Sequence, residues 1–150
     1  MYKFITYSLM MLFIFTVQAQ INLPAGSSAA SVTTTVGLTE VSISYFRPKM
    51  KGRKIFGIDG SALLEYGVMW RTGANSGTTV TLSTPAKIGG TEVPAGTYLI
   101  ITTPGDDQFD FMLYGDPSIG SNFSKMKSDQ ILVNMKVDNL KSSTMIETLT

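Results

Sequence analysis

Apolar and polar residues alternate with a period of two in several short runs of this chain, and no stretch repeats with the period of a helix. Val41, Ile43 and Tyr45 alternate with Ser42, Ser44 and Phe46. Phe109, Phe111 and Leu113 stand opposite Asp110 and Met112, and Ile131, Val133, Met135 and Val137 repeat the pattern. Successive side chains of a strand point to opposite faces, so these runs read as strands buried on one side. Thr78–Ser83 is β-branched and alternating, which suits a pleated surface. Thr97–Thr102 (TYLIIT) is apolar from Tyr98 through Ile101 and predicts a central strand covered on both faces. Turn chemistry separates the runs: Pro48 followed by Gly52, the pair Gly89-Gly90, Pro94 to Gly96, and Pro104-Gly105. Breaks about every 8–12 residues, with no amphipathic helix between them, predict an all-β antiparallel sandwich of roughly seven to nine strands, with an open barrel as the alternative.

The stretches between these runs are less regular. Ile55-Phe56 and Leu63-Leu64 are apolar anchors for a long connection after Pro48. Tyr66, Val68 and Trp70 would share one strand face, with Met69 and Arg71 on the other. Asp116–Ser128 is a loop or a short helix, and Ser142–Leu149 begins a further strand.

The first residues follow a different rule. Lys3 precedes an apolar run from Phe4 to Val17, and Val17-Gln18-Ala19 offers small residues for cleavage after Ala19. A helix of that length rises about 21 Å, short of the roughly 30 Å of a bilayer core, so it reads as a signal peptide, not an anchor. Residues 1–19 are then a leader, 20–31 a small polar spacer, and 32–150 the β-domain, exported to the periplasm or beyond. Cleavage removes Lys3 and leaves eleven cations against eleven acids. A neutral domain gives no electrostatic argument for nucleic acid or an anionic membrane as partner. No second long apolar run follows, so no transmembrane anchor is expected after cleavage.

The chain has no histidine and no cysteine. That removes Ser-His and thiol nucleophiles and the usual zinc ligand sets. A general base would have to be a carboxylate, lysine or tyrosine, and any metal oxygen-bound. Asp106, Asp107 and Asp110 could supply oxygens to calcium, but acids in a Gly-containing turn need no metal to explain them. No cofactor and no metal are expected. Ser124 to Lys127 fits a Ser-x-x-Lys pattern without companion motifs.

What remains is charge and one aromatic. Arg47, Lys49, Lys51, Arg53 and Lys54 crowd into a basic turn with no acid. Trp70, the single tryptophan, begins Trp70-Arg71-Thr72-Gly73-Ala74-Asn75. If the two meet in space, guanidinium forks could hold a carboxylate or phosphate. The plainer reading is a solvated loop pairing with Glu65, Asp59 or Asp106, each exposed pair contributing about 0.2–1 kcal/mol. Trp70 with Tyr45 and Tyr66 could form a platform for a sugar ring, although one tryptophan on a strand face also suits a sandwich core. Arg47, Lys51, Arg53, Arg71 and Asn75 are therefore the candidate ligand-binding residues. The expected function is a non-catalytic exported module for an anionic or glycan ligand. The alternatives are a hydrolase or transferase using a carboxylate or lysine, for which Lys51 and Glu65 flank the same segment, and a structural domain pairing through an open edge strand.

Several of these stretches resemble the bacterial family numbered 2911 among domains of unknown function. The elements are Tyr45-x-Arg47-Pro48, Lys51-Gly52-Arg53, Trp70 to Asn75, and Pro94-Ala95-Gly96-Thr97-Tyr98, within a resemblance spanning roughly residues 31–149. The resemblance implies an exported Gram-negative protein with a β-rich fold and no assigned activity. The chain departs from the family pattern at Leu64-Glu65-Tyr66-Gly67, where members carry Pro-Tyr-Gly. It is also expected to be shorter at the C-terminus than typical members, leaving the closing strand incomplete.

Overall fold

The structure, a computed structural model, describes residues 26–140 and 142–149. The leader and the spacer as far as residue 25 lie outside the described residues. Ten strands are present among the described residues: β1 (Ser28–Val36), β2 (Thr39–Arg47), β3 (Phe56–Gly57), β4 (Leu64–Glu65), β5 (Thr78–Leu82), β6 (Ala86–Ile88), β7 (Thr91–Val93), β8 (Gly96–Thr103), β9 (Gln108–Tyr114) and β10 (Ile131–Asp138). Six of them form one sheet in the order β1-β2-β5-β8-β9-β10, with antiparallel pairing throughout. The fold is all-β, and β1 begins at Ser28, inside the stretch read as spacer.

Register explains which residues meet. Ile43 lies opposite Val80 and Val80 opposite Tyr98, while Ile100 lies opposite Leu113 and Leu113 opposite Val133. These side chains share one face, and with Leu82 and Val93 they build one buried cluster. The β6–β7 hairpin covers it: Gly89 and Gly90 take φ 56° and 86°, the positive values a two-residue turn needs, and Val93 is fully buried beneath.

Leu99, Ile101 and Tyr114 point the other way and pack with Ile119, Phe123 and Met126. Those last three come from 117–126, where short 3₁₀ turns at Pro117–Ile119 and Phe123–Lys125 replace a helix. β8 is thus buried on both faces, as its apolar run predicts. The second layer is unequal to the main sheet: a hairpin and the small parallel pair β3–β4 on one side, 3₁₀ turns on the other.

Two expected strands are reduced to single bridges. Trp70 exchanges both backbone hydrogen bonds with Thr102, at 2.7 and 2.8 Å. It thereby occupies the place beside β8 beyond the point where Thr78 of β5 pairs with Ile100. Positive φ at Gly67 on one side and Thr72 on the other stops this bridge from growing into a strand. In 142–149 only Thr148 bridges, to Lys49. No helix of the described residues is long and apolar enough to cross a membrane.

Candidate functional site

Pro48 cannot donate to a ladder, so β2 ends at Arg47 and the chain turns through Lys51 and Gly52, with φ 51° and 69°. The turn binds its own cations. Arg53 donates from Nε to the Met50 carbonyl and from Nη2 to the Lys49 carbonyl, both at 2.9 Å. Lys54 Nζ reaches Asp59 Oδ2 at 2.7 Å. The ammonium of Lys54, followed by the hydroxyl and N–H of Ser61, holds the Asp59 carboxyl well below the usual range. Arg47 turns away, donating to the Leu149 carbonyl at 3.1 Å and to Thr148 Oγ1 at 3.2 Å.

The segment 70–77 is a hydrogen-bonded loop. Trp70 Nε1 donates to the Gly73 carbonyl at 3.1 Å, the Thr72 hydroxyl meets that of Thr102 at 3.0 Å, and the Thr78 hydroxyl donates to the Thr72 carbonyl. Thr72, Gly73, Asn75 and Gly77 all take positive φ, at 54°, 131°, 52° and 92°. Asparagine tolerates this region; a β-branched threonine there is an outlier. At Gly77 a side chain would also collide: a Cβ would lie 2.9 Å from the Arg71 carbonyl oxygen. The Trp70 ring stands edge-on to Phe56, with centroids 5.5 Å apart, and Phe56 does the same to Phe109 at 5.4 Å. This aromatic row ties β3 to the main sheet.

Turn, loop and C-terminal segment border a cleft of about 850 Å³ that is open to solvent. Phe56, Leu64 and Trp70 line one part of its wall, and Ile146 and Leu149 of the C-terminal segment line another. Lys49, Arg53 and Arg71 bring positive charge to the lining, and Glu147 brings negative charge. Arg71 Nε has no hydrogen-bond partner and is closed off from solvent, and so from the cleft itself. A smaller hollow of about 370 Å³ beside β1, β2 and β5 has only apolar and hydroxyl side chains, and it offers a charged ligand no counter-ion.

Of the five residues picked out by sequence, the cavity gathers Arg53 and Arg71. Arg47 lies next to it, holding the C-terminal segment in place. Lys51 contributes its backbone N–H to Glu147 Oε1 at 2.9 Å, and its side chain is not on the wall. Asn75 is exposed at the loop tip. Tyr45 and Tyr66 do not line the cavity with Trp70. The wall supplied by Ile146 to Leu149 escaped the sequence reading because its alternation signals a strand, not a contact with residues about a hundred positions earlier. Among the described residues no three acids are grouped to hold a metal ion.

An all-β domain with a cationic, mainly apolar cavity at the end of its sheet is thus defined. The chain belongs to the family described as "Protein of unknown function (DUF2911)", whose family model matches residues 27–150. No curated protein and no solved structure matches it.

Proposed function

We propose that this protein is a non-catalytic, exported binding module whose ligand is an anionic small molecule held in the cavity by Arg71 and Arg53. The observation that carries the reading is the gathering of Lys49, Arg53 and Arg71, against the single acid Glu147, on one mainly apolar cleft. Arg53 is already oriented by two carbonyls of its own turn, so little freedom is lost when it engages a ligand. The volume lies within the range of small-molecule sites, which are mostly apolar with a few convergent polar groups. Export rests on the apolar leader at residues 4–17.

Thermal unfolding against a panel of small carboxylates, phosphates, sulfonates and uronic acids tests the reading. A true ligand at a hundred times its Kd adds about 2.7 kcal/mol to stability. Arg71→Met should lose that gain while the unliganded Tm stays close to wild type; Arg53→Met, which also gives up two bonds to its own turn, should lose the gain with a modest fall in Tm. A panel with no stabilising acid, or arginine variants that lose their own Tm instead, would mark these side chains as structural.

A further inference from the structure

The six-stranded sheet has two outer edges, and they are built differently. β10 carries Asn134, Lys136 and Asp138, and its pairing with β9 shifts register between Ile131 and Val133. Charges and a bulge are the usual guards of an exposed edge. β1 has neither. Its nine residues, SAASVTTTV, include no charge and no proline, and they pair with β2 through nine consecutive rungs without a shift. Among the described residues β2 is its only neighbour in the sheet, and all of β1 except Ala30 is exposed. We propose that the protein forms a two-fold dimer in which β1 pairs antiparallel with β1 of a second copy, joining the two sheets into one.

Two features of the strand select a copy of itself as the occupant. The first is an apolar row that stops short. Val32, Ile43, Val80 and Tyr98 lie side by side across β1, β2, β5 and β8. Tyr98 and Val80 are buried and Ile43 is half-buried, but Val32, at the end of the row, stays 53% exposed. A two-fold axis perpendicular to the sheet keeps the same face of both copies on one side, so the row runs on from Val32 into its counterpart. The second feature is the match along the strand. With the axis at Val32 all nine rungs are filled: Val32 meets Val32, and Ser31 meets Thr33 on either side of it. Every outward backbone N–H and C=O of the strand then gains a partner, and no charge is set against an apolar side chain. Moving the axis along the strand leaves rungs empty. Pairing of β1 with β10 of another copy would propagate as an open fibre, and it meets the bulge and charges of β10. An edge without charge also has nothing by which to select a charged foreign strand.

Cysteine pairing in the protein purified after export tests both the dimer and its register, because the chain has no cysteine of its own. Residues directly opposite in an antiparallel pair have Cα atoms about 4.5–5.5 Å apart, within reach of a disulfide, whereas none forms beyond about 7 Å. Val32→Cys should therefore run as a disulfide-linked dimer on a non-reducing gel after mild oxidation. Thr34→Cys should not, since its two copies stand four residues out of step, about 14 Å apart. Sedimentation equilibrium should show the wild type dissociating reversibly on dilution. Val32→Lys sets two ammonium groups opposite each other and should weaken association at least about tenfold. It replaces a side chain that is already half in solvent, so the diluted variant should keep the β-sheet circular dichroism of the wild type. Asn134→Lys, on the other edge, should associate like the wild type. A wild type that stays monomeric overturns the β1 dimer, as does a dimer that Val32→Lys leaves intact. Crosslinking of Thr34→Cys at least as strong as that of Val32→Cys overturns it too.

Discussion

Gly77 shows how a single missing side chain sets the geometry of the loop. Its φ of 92° and the 2.9 Å separation between a would-be Cβ and the Arg71 carbonyl oxygen leave no room for alanine. Gly77→Ala should therefore cost about 1–3 kcal/mol, read as a lower midpoint in urea. Because the clash falls on Arg71 itself, the variant should also weaken acid binding beyond what lost stability explains. Gly90 is the control: its φ is also positive, at 86°, but open space surrounds it, so Gly90→Ala should destabilise without touching the cavity. Thr72 carries the same lesson in another form. A β-branched residue at φ 54° persists because its hydroxyl meets Thr102 and its carbonyl accepts from Thr78.

Among elements, the C-terminal segment is the one whose place depends on long-range contacts. Arg47 reaches the Leu149 carbonyl and Thr148 hydroxyl. The Met50 and Leu149 N–H groups bond to the carbonyls of Glu147 and Pro48 at 2.9 and 3.4 Å. A single bridge and a few hydrogen bonds with little buried apolar surface make a segment that opens well below the global unfolding energy. Arg47→Ala should speed hydrogen exchange at the Met50, Lys51 and Leu149 amides while β8 and β9 amides keep their protection. Unchanged exchange at those three amides would show that Arg47 does not anchor the segment. The β6–β7 hairpin contrasts with it, being held by a two-glycine turn and by Val93 packed into the core.

For the whole molecule, β8 is buried on both faces, so two clusters depend on the same backbone. Leu99 belongs to one and Leu113 to the other, and both are fully buried. Leu99→Ala and Leu113→Ala should each cost about 2–5 kcal/mol. Both should lower one shared, cooperative transition, since loss of either cluster removes support from β8 and β9 together. Separate transitions for the two faces would mean that the layers unfold independently.

Period-two alternation made the strands legible, because a residue's place on a pleated sheet is settled by its parity along the strand. The same holds for the turns: positive φ at Gly89 and Gly90, and the end of β2 before Pro48, follow from local backbone chemistry. A basic turn at 47–54 and the Trp70 stretch were each visible too. Which of their side chains converge was not, because that depends on how the long connection 48–77 crosses the sheet and on what the C-terminal segment lays against it. Arg47 and Asn75 carry the same side-chain chemistry wherever they stand, yet one is engaged by residues a hundred positions away and the other faces water. Arg71 is left as the unsatisfied donor for the same reason. Partnership between distant residues is set by packing, and packing leaves no periodic trace along the chain.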